Sequence, residues 1–479
     1  SRLIYFGSEH PSISVPRYGG ILFRPGNQES GPGQGRTSAA MSPDSIKSCH
    51  LVGVAGVGMN ALAQGLIGGD WAVSGSDRYE DQGQDLEVIR KLKEAGVRFH
   101  PQDGSGVSAS TGAVVVSSAI EPDNPDIAAA TRLGVTVRHR AGMLAELVAG
   151  RPTVAIAGTS GKTTVTGMVG WILEQVGADP TVVNGGALVN WAGEHRIGNV
   201  RQGRSGLCVI EADESDRSLL QFHPDWALIT NMSADHFSLG ETEALFRQFR
   251  GQVGRDCIAG WECGVSLQDV KVRLGRAGSC FTYDGVEFEL PLLGAHNVEN
   301  ALHAAILCRR MGYALGRIRD ALGSFRGIER RLERVGEARG VVVVDEYAHN
   351  PAKIAAAWRA VAPHYKRVAA FWRPHGFKPL ALMFEDLLGM FADVCRPQDR
   401  LFLLPVYYAG GTVSRQMDSD VLAAALKARG VSAEWMPGYE ALMTTLVSES
   451  RPGDVVLCVG ARDPGIPRFA RDLVRRLAE

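Results

Sequence analysis

A short glycine-containing stretch carries the residue types that bind the phosphates of a nucleotide. The apolar run at 154–157 predicts a buried strand, and the residues from Val165 onward predict a helix. The loop between them offers a lysine, hydroxyl groups and the N–H groups of a helix N-terminus, which favour phosphate oxygens and a bound Mg²⁺. Its residues are Gly158, Thr159, Ser160, Gly161, Lys162, Thr163 and Thr164. This order predicts a nucleoside-triphosphate site, although only two residues separate the glycines where the general P-loop has four.

A dense acidic cluster and a histidine follow two other apolar runs. The first predicted strand ends at Glu211, and the second precedes His236. Carboxylate oxygens and an imidazole are ligands that Mg²⁺–ATP chemistry can use. An unpaired carboxylate at the end of an apolar strand would be costly, which favours a role for Glu211. For Glu214 and Asp216 a solvated acidic turn is an equally good interpretation.

A second glycine loop lies nearer the N-terminus. Residues 51–59 predict a strand followed by glycines, and residues 73–77 predict a second strand that ends at Asp77. This is how a dinucleotide-fold βαβ unit begins, but glycines at 53, 56 and 58 do not follow the Gly-x-Gly-x-x-Gly pattern. A structural turn is as good an interpretation as a nucleotide site. Asp77 suits a contact to a ribose or base, and it equally suits the cap of the following turn.

Around these loops the chain alternates strands and helices in three successive segments, which predicts three α/β domains. We expect a Rossmann-like domain at 48–150, a central P-loop ATPase-type domain at 151–326 and a C-terminal Rossmann-like domain at 327–479. Residues 1–47 are predicted to be a disordered tail, because residues 1–40 are rich in Gly, Pro, Ser and Arg without a sustained period. The tail is either upstream of a natural start at Met41 or a docking arm.

The composition excludes several classes of partner. The chain has 479 residues, 45% of them hydrophobic, and a formal net charge of −1. That charge gives no electrostatic attraction to nucleic acid or to an acidic membrane. No apolar run reaches the roughly 18 residues of a transmembrane helix. The eight cysteines form no Cys-x-x-Cys pair, which favours reduced core residues and a cytoplasmic location. We expect small-molecule substrates and a monomer or homodimer.

Six motifs, in their order along the chain, resemble those of the Mur ligase family, which uses ATP to join an amino acid or peptide to a carboxylate. They are the phosphate loop at 158–164, Glu-Ala-Asp-Glu-Ser-Asp at 211–216, Thr-Asn-x-x-Ala-Asp-His at 230–236, Gly-x-His-Asn-x-x-Asn at 294–300, Arg-Arg at 330–331 and Asp-Glu-Tyr-Ala-His-Asn-Pro at 345–351. Further stretches between residues 53 and 146 resemble the uridine-diphosphate domain of the branch that adds L-alanine to UDP-N-acetylmuramate, and of its murein-peptide-recycling relative. The resemblance runs from about residue 48 to the C-terminus.

The resemblance implies a set of site residues. ATP would be held by the phosphate loop, by His296, Asn297 and Asn300 at the adenine, and by Arg330 and Asp345. Mg²⁺ would be held by Thr163, Glu211 and His236. Lys162, Glu211, His236, Arg331 and His349 would be catalytic, with His349 the candidate acid or base for the amine; a structural histidine is nearly as good an interpretation. The substrates would contact Gly56, Gly58, Met59, Asp77, Ser117, Ser118, Tyr347 and His375.

The implied reaction activates a carboxylate as an acyl phosphate, which an amine then attacks. The sequence departs from the family at Ser160 and Glu346, where the alanine-adding enzymes carry His and Asp. It also has Gly376 and Lys378 where the family has arginines for a substrate carboxylate, so we expect a changed acceptor site. The span between His236 and His296 is abbreviated where relatives insert further strands, which suggests a trimmed central domain and a different carboxylate donor.

These observations predict an ATP-dependent ligase that adds an amino acid or peptide to a UDP-N-acetylmuramate-type carboxylate in cell-wall precursor synthesis or recycling. One alternative is a related ligase with a different donor and acceptor. A second is a nucleotide-binding regulatory protein that does not ligate. A nicotinamide-dependent dehydrogenase ranks last, because it leaves the phosphate loop unexplained.

Overall fold

The structure is a computed structural model that describes residues 47–233, 236–407 and 417–479. The described residues belong to one compact unit. They form three mostly parallel sheets flanked by helices, with a small antiparallel sheet beside the second. The predicted α/β class is therefore confirmed. Apart from Lys47, the predicted tail lies outside the described residues.

The first sheet is wholly parallel. Its elements are β1 (Ser48–Val52), α1 (Val57–Ile67), β2 (Ala72–Ser76), α2 (Arg78–Asp81), α3 (Glu87–Glu94), β3 (Arg98–Phe99), β4 (Val114–Val116), α4 (Pro125–Leu133), β5 (Val137–His139) and α5 (Arg140–Val148). The strands pair in the order β3-β2-β1-β4-β5. The order reverses between β1 and β4, so the loops after these strands open a crevice of the kind in which α/β sheets bind ligands.

The second sheet positions the phosphate loop. Its elements are β6 (Thr153–Ala157), α6 (Lys162–Gln175), β7 (Thr181–Val183), β8 (Val200–Arg201), β9 (Cys208–Glu211), β10 (Trp226–Ile229), α7 (Leu239–Arg250) and β11 (Asp256–Ala259), followed by β12 (Lys271–Leu274), β13 (Ser279–Tyr283), β14 (Val286–Leu290), α8 (Ala295–Arg310) and α9 (Leu315–Gly323). The order is β11-β10-β6-β9-β7-β8, parallel except for β8. Because β6 lies between β9 and β10, the loop after β6 is flanked by the ends of both.

Strands β12, β13 and β14 form a separate antiparallel sheet. The span from His236 to His296 therefore contains three short strands after β11, and its trimming relative to the family stays a prediction. These strands are four or five residues long and interleave polar or charged residues with apolar ones, so they give no continuous apolar run. The stacked rings of Phe281 and Phe288, 4.7 Å apart, anchor the sheet to the core of the central segment.

The third sheet has six strands. Its elements are β15 (Glu333–Ala338), β16 (Val341–Glu346), α10 (Pro351–Val361), β17 (Arg367–Trp372), α11 (Phe377–Leu382), α12 (Phe384–Val394), β18 (Arg400–Leu403), α13 (Ser419–Ala428), β19 (Ala433–Trp435), α14 (Tyr439–Glu449), β20 (Asp454–Val459) and α15 (Gly465–Ala478). The order is β15-β16-β20-β17-β18-β19, with β15 antiparallel. Each of the three large sheets lies within one predicted domain, while the domain boundaries themselves stay a prediction.

The first two sheets share one apolar core. Leu51 and Leu62 of the first segment belong to the same buried cluster as Ala155 and Ile210 of the second. The third sheet has separate cores on its two faces. The first and central segments are thus joined by packing of apolar side chains, which is the main stabilising contribution to protein cores.

Two further predictions concern the whole chain. All eight cysteines are free thiols, as the absence of a paired spacing predicts. None of the described helices is long and apolar enough to cross a membrane. The cytoplasmic location and the oligomeric state stay predictions.

Candidate active site

The phosphate loop turns sharply between β6 and α6. Gly158 has φ 127° and Gly161, the residue before the helix, has φ 81°, conformations that favour glycine. A Cβ at Gly158 would lie 2.0 Å from Thr230 Oγ1, and a Cβ at Gly161 would lie 2.6 Å from Asn300 Oδ1. The loop therefore needs glycine at both positions for its backbone geometry and for close packing.

The end of β10 braces this loop. Thr230 Oγ1 donates a hydrogen bond to the Ser160 carbonyl over 2.6 Å, and the Asn231 amide donates to the same carbonyl over 3.0 Å. Asn231 Oδ1 accepts from the Ser160 N–H at 2.9 Å and from the Thr159 hydroxyl at 2.8 Å. Ser160 thus takes part in these contacts through its main chain alone.

Lys162 carries the charge of the site. Its Nζ donates to the Gly158 carbonyl at 2.8 Å and to the carboxylate of Glu214. Burial would lower the pKa of the Lys162 ammonium, but the carboxylates of Glu214, Asp213 and Glu211 together raise it. Glu214 is only 2% exposed, so the solvated-turn interpretation is wrong for this residue. The ion pair holds a protonated lysine at the point where a phosphate would bind.

Glu211 and Thr163 stand on either side of two consecutive glycines. Glu211 Oε2 accepts a hydrogen bond from the Gly185 N–H at 2.9 Å. A Cβ at Gly185 would meet that carboxylate at 2.4 Å, and a Cβ at Gly186 would meet Thr163 Cγ2 at 2.9 Å. A carboxylate and a hydroxyl at the carboxyl edge of the sheet are the hard oxygen donors that Mg²⁺ prefers. Glu211 and Thr163 are therefore chemically suited to hold the predicted Mg²⁺.

His236 is exposed. Within 47–233, 236–407 and 417–479, no group of three or more His, Cys, Asp or Glu side chains is gathered closely enough to hold a metal ion. The set of Thr163, Glu211 and His236 as metal ligands therefore stays a prediction. Thr164, in the first turn of α6, is buried.

The motif at 294–300 begins α8, which packs against the phosphate loop. Asn297 donates to the Leu293 carbonyl at 2.9 Å, and its Oδ1 accepts from Asn300 at 3.4 Å. Asn300 in turn lies against Gly161, as the 2.6 Å Cβ distance shows. His296 is exposed at the helix N-terminus. Asn297 and Asn300 thus support the loop, while the role of all three at the adenine stays a prediction.

A cavity of about 500 Å³ opens beside α8. It lies between the end of β10, the segment 260–269 and the helix face that carries Glu299, Leu302 and His303. Sequence reasoning missed these residues, because Glu299 occupies an unspecified position of the motif and Leu302 and His303 follow it. Glu299 lies three residues after His296, and His303 lies three residues after Asn300. This spacing places each pair on one face of the helix and was the available signal.

The first glycine loop has the same topology but different chemistry. Asp77 accepts hydrogen bonds from the Ala55 N–H at 2.9 Å and from the Tyr79 N–H at 3.0 Å, so it ties the loop and caps α2. Burial raises the pKa of Asp77, and these two hydrogen bonds oppose the rise. The capping interpretation is therefore the one observed. A substrate contact by Asp77 stays a prediction.

The other predicted substrate residues of this segment divide into two groups. Gly56 and Gly58 lie at the N-terminus of α1, while Met59 is 4% exposed and packs in the shared core, so its side chain does not face the crevice. Ser117 and Ser118 follow β4 at the carboxyl edge of the sheet. The turn that they begin lies beside the glycine loop, since a Cβ at Gly53 would meet Ile120 at 3.1 Å.

Arg140 is a site residue that sequence reasoning missed. A cavity of about 190 Å³ is lined by Gly58 and Arg140 of the first segment and by Glu211 and Asp213 of the second. Arg140 Nη2 lies 3.7 Å from Asp213 Oδ2, and a Cβ at Gly58 would lie 3.3 Å from Arg140 Nη1. An arginine at the start of α5, where the helix dipole disfavours a cation, was the available signal.

Arg330 faces the third sheet. Its guanidinium donates to the carbonyls of Ala461, at 2.7 Å, and Gly460, and its Nε lies 3.4 Å from Asp345 Oδ2. Asp345 is fully buried with neither carboxylate oxygen hydrogen-bonded, and burial raises its pKa to about 7 against the influence of Arg330. Asp345 therefore has no surface open to a nucleotide, contrary to the predicted contact, and lies behind Arg330. The reach of Arg330 to phosphates stays a prediction.

Two histidines and a tyrosine cluster at the carboxyl edge of the third sheet. The ring of Tyr347 lies 5.1 Å from each of the Arg330 and Arg331 guanidinium groups. The His349 ring is 6.0 Å from Tyr347 and 5.5 Å from His375. Burial, then the charges of Arg462 and His349, lowers the pKa of His375 to about 4. The structure brings the predicted Tyr347, His349 and His375 together.

The loop at 373–378 is built differently from the sequence expectation. Arg373 donates to Asp463 Oδ2 at 2.5 Å and to the Pro405 carbonyl at 3.2 Å. Gly376 has φ 81°, and Lys378 is exposed on α11. Arg373 is thus committed to contacts within the protein, and the expected change in the acceptor site stays a prediction. Glu346, buried beside this region, accepts from the Leu332 N–H at 2.8 Å.

Comparison with known proteins accounts for this arrangement. Three family models match: Mur ligase family catalytic domain at 48–152, Mur ligase middle domain at 156–248, and Mur ligase glutamate ligase domain at 330–462. A UDP-N-acetylmuramate–L-alanine ligase from a Synechococcus strain is 34% identical over 446 residues, which cover 87% of this chain and 90% of the relative. The chain belongs to the Mur ligase family. The predicted resemblance is confirmed.

Other Mur ligases align over nearly their full length. The UDP-N-acetylmuramate–L-alanine ligase of Sinorhizobium fredii is 33% identical and covers 91% of this chain and 98% of its own. The crystal structure of the Thermotoga maritima UDP-N-acetylmuramate–alanine ligase has a TM-score of 0.74 at 26% identity, over 90% of this chain and 98% of that one. A murein peptide ligase from Psychrobacter arcticus, 20% identical with a TM-score of 0.61, shares the fold.

Proposed function

We propose that this chain is an ATP-dependent carboxylate–amine ligase that adds an amino acid to UDP-N-acetylmuramate. The observation that carries the proposal is the cavity shared by the first two segments. Gly58 and Arg140 line it from the side of the first glycine loop, and Glu211 lines it from beside the phosphate loop. A donor bound at the first loop would therefore present its carboxylate next to the γ-phosphate of ATP.

In the proposed first step, a carboxylate oxygen attacks the γ-phosphoryl group and gives an acyl phosphate and ADP. Lys162 exchanges its contact with Glu214 for the transferring phosphate oxygens, whose charge it stabilises together with backbone N–H groups of the loop. Mg²⁺, when held by Thr163 and Glu211, supplies further charge neutralisation at these oxygens. Arg140 would hold the anionic donor, and the 500 Å³ cavity beside α8 would bind the adenine of ATP.

In the second step, the neutral amine attacks the acyl carbon and expels phosphate. His349 is the proposed acceptor of the amine proton. Its Nδ1 lies 3.2 Å from the Tyr347 carbonyl, a hydrogen bond that leaves the lone pair on Nε2. His375 stays neutral at physiological pH because its pKa lies near 4. It adds no positive charge that would raise the cost of bringing a cationic amine to the site.

L-Alanine is the first candidate acceptor, because the relatives of 33% and 34% identity are named for it. A different amino acid is the second candidate. The observation in its favour is the loop at 373–378, where Arg373 is paired with Asp463 and Lys378 is exposed. The carboxylate of the acceptor would then be bound by a cation outside this loop, such as Arg462, whose charge reaches His375.

The test incubates the purified chain with Mg²⁺, ATP, UDP-N-acetylmuramate and each proteinogenic amino acid in turn. Phosphate release is followed together with mass-spectrometric detection of the amide product. We expect phosphate release that requires both donor and amine, with one amide formed per phosphate. Phosphate release that is independent of either substrate, or binding of the donor without any turnover, would favour the regulatory alternative.

A further inference from the structure

A direct hydrogen bond joins the first segment to the third. The hydroxyl of Tyr79 lies 3.3 Å from the hydroxyl of Tyr407. Both side chains are partly buried, and 328 positions separate them in the sequence. Neither tyrosine belongs to the motifs that indicate the family, and the reaction proposed above uses neither.

On the first segment, Tyr79 is tied to the first glycine loop. Its backbone N–H donates to Asp77 Oδ1, and Asp77 Oδ2 accepts from Ala55 within that loop. The carboxylate of Asp77 therefore connects the first glycine loop directly to the residue that carries the tyrosine ring.

On the third segment, Tyr407 is tied to the loop at 373–378. Its N–H donates to the Pro374 carbonyl at 2.8 Å, and its carbonyl accepts from the Gly376 N–H at 3.0 Å. The Arg373 guanidinium lies 5.4 Å from the centre of its ring. These contacts tie Tyr407 to the loop at 373–378, which carries His375.

We propose that the Tyr79–Tyr407 hydroxyl pair positions the loop at 373–378 against the first segment, which would bind the donor. The amine, rather than water, would then meet the acyl phosphate. This inference rests on the proposed ligase function. Both tyrosines are positioning residues. An acyl phosphate hydrolyses in water, so a loop held less firmly over it lets phosphate leave without an amide bond. The coupling of phosphate release to amide formation is the quantity that such a pair controls.

The test compares Tyr79→Phe, Tyr407→Phe and the double variant with the wild-type chain. Each removes only a hydroxyl, so we expect a fold retained at the wild-type melting temperature to within a few degrees. A single hydrogen bond of this kind corresponds to about a two- to tenfold effect. We expect kcat for amide formation to fall by about that factor, while phosphate released per amide rises above one. Because the two hydroxyls act on each other, the double variant should match the single variants rather than multiply their effects.

A second contact between the same two segments provides the control. Glu87 and Arg471 form an ion pair at 3.8 Å in which both side chains are 56% exposed. Arg471→Gln removes this pair and leaves the contact of Glu87 with Lys91 in place. It should leave both the rate and the ratio of phosphate to amide unchanged, because exposed pairs contribute little. Phenylalanine variants that keep a ratio of one, in a wild-type chain that does form amide, would overturn the inference. A wild-type chain that forms no amide would instead overturn the proposed function.

Discussion

Three loops in this Mur ligase follow a parallel strand and precede a helix, and they do different chemistry. The loop at 158–161 places Lys162 at a helix N-terminus against Glu214. The loop after β1 has no lysine, and it instead binds Asp77 through its own backbone and faces Arg140. The loop at 373–376 holds a neutral histidine. The shared βα turn supplies oriented backbone groups. In the proposed reaction, the side chains beyond each turn would decide whether it binds phosphate, donor or amine.

The first prediction separates the first two loops most strongly. Lys162→Ala should lower kcat for phosphate release and amide formation by about 10²- to 10³-fold, because it removes charge stabilisation of the transferring oxygens. Arg140→Ala should instead leave kcat nearly unchanged and raise the donor KM by roughly tenfold or more, as expected for a lost charged hydrogen bond. Steady-state kinetics with varied donor and ATP measures both. An equal loss of kcat in the two variants would contradict the assignment of Lys162 to phosphoryl transfer and of Arg140 to donor binding.

The second prediction uses matched glycines. In Gly158→Ala the new Cβ would lie 2.0 Å from Thr230 Oγ1 at a φ of 127°, so the free energy of unfolding should fall. Strain of this kind corresponds to about 2–4 kcal/mol. In Gly58→Ala the new Cβ lies 3.3 Å from a flexible arginine, and we expect a stability change below about 1 kcal/mol with a raised donor KM. Urea denaturation measures the free energy of unfolding of both variants. A similar loss in the two would contradict the prediction that only Gly158 requires glycine for stability.

The third prediction concerns Asp77. Asp77→Ala removes the cap of α2 and the acceptor for the Ala55 N–H, which should lower the free energy of unfolding by about 1–2 kcal/mol. Because the first glycine loop loses its tie, the donor KM should rise while the ATP KM is retained. Asp77→Asn, which keeps one acceptor oxygen, should show a smaller stability loss. An ATP KM that changes as much as the donor KM would show that the two loops are not separate.

The smallest effect is expected at the third loop, as a pH dependence of stability. The pKa of His375 is lowered to about 4, below the roughly 6.5 of the unfolded chain. Between these values the unfolded chain binds a proton that the folded chain rejects, so stability is complete above about pH 6.5 and declines as the pH falls towards 4. His375→Asn should make the free energy of unfolding fall less steeply over this range. An identical slope in chemical denaturation would contradict the lowered pKa.

The sequence predicts the local parts of this molecule best. A strand, two glycines, Lys162 and a helix are contiguous, so the phosphate loop follows from short-range pattern alone. The pairing of Lys162 with buried Glu214 depends on the strand order that sets β9 beside β6, which no local pattern contains. Arg140 and the cavity that it lines depend on the packing of two sheets for the same reason. Met59 shows the opposite error, because a motif position was predicted to face substrate while its helical phase turns it into the core.

The core shared by the first two sheets has a consequence for the timing of the reaction. Leu51 and Ala155 are buried in one cluster, so the donor loop and the phosphate loop are mounted on a single packed body. In the proposed reaction, the spacing between the donor carboxylate and the phosphorus that it attacks would then be set when the chain folds, and would not be rebuilt in every turnover. The third sheet has its own cores, so a movement of this part of the chain would act on delivery of the amine in the proposed reaction. Activation of the carboxylate would take place at a fixed geometry, and the arrival of the amine would be the rate-limiting step of turnover.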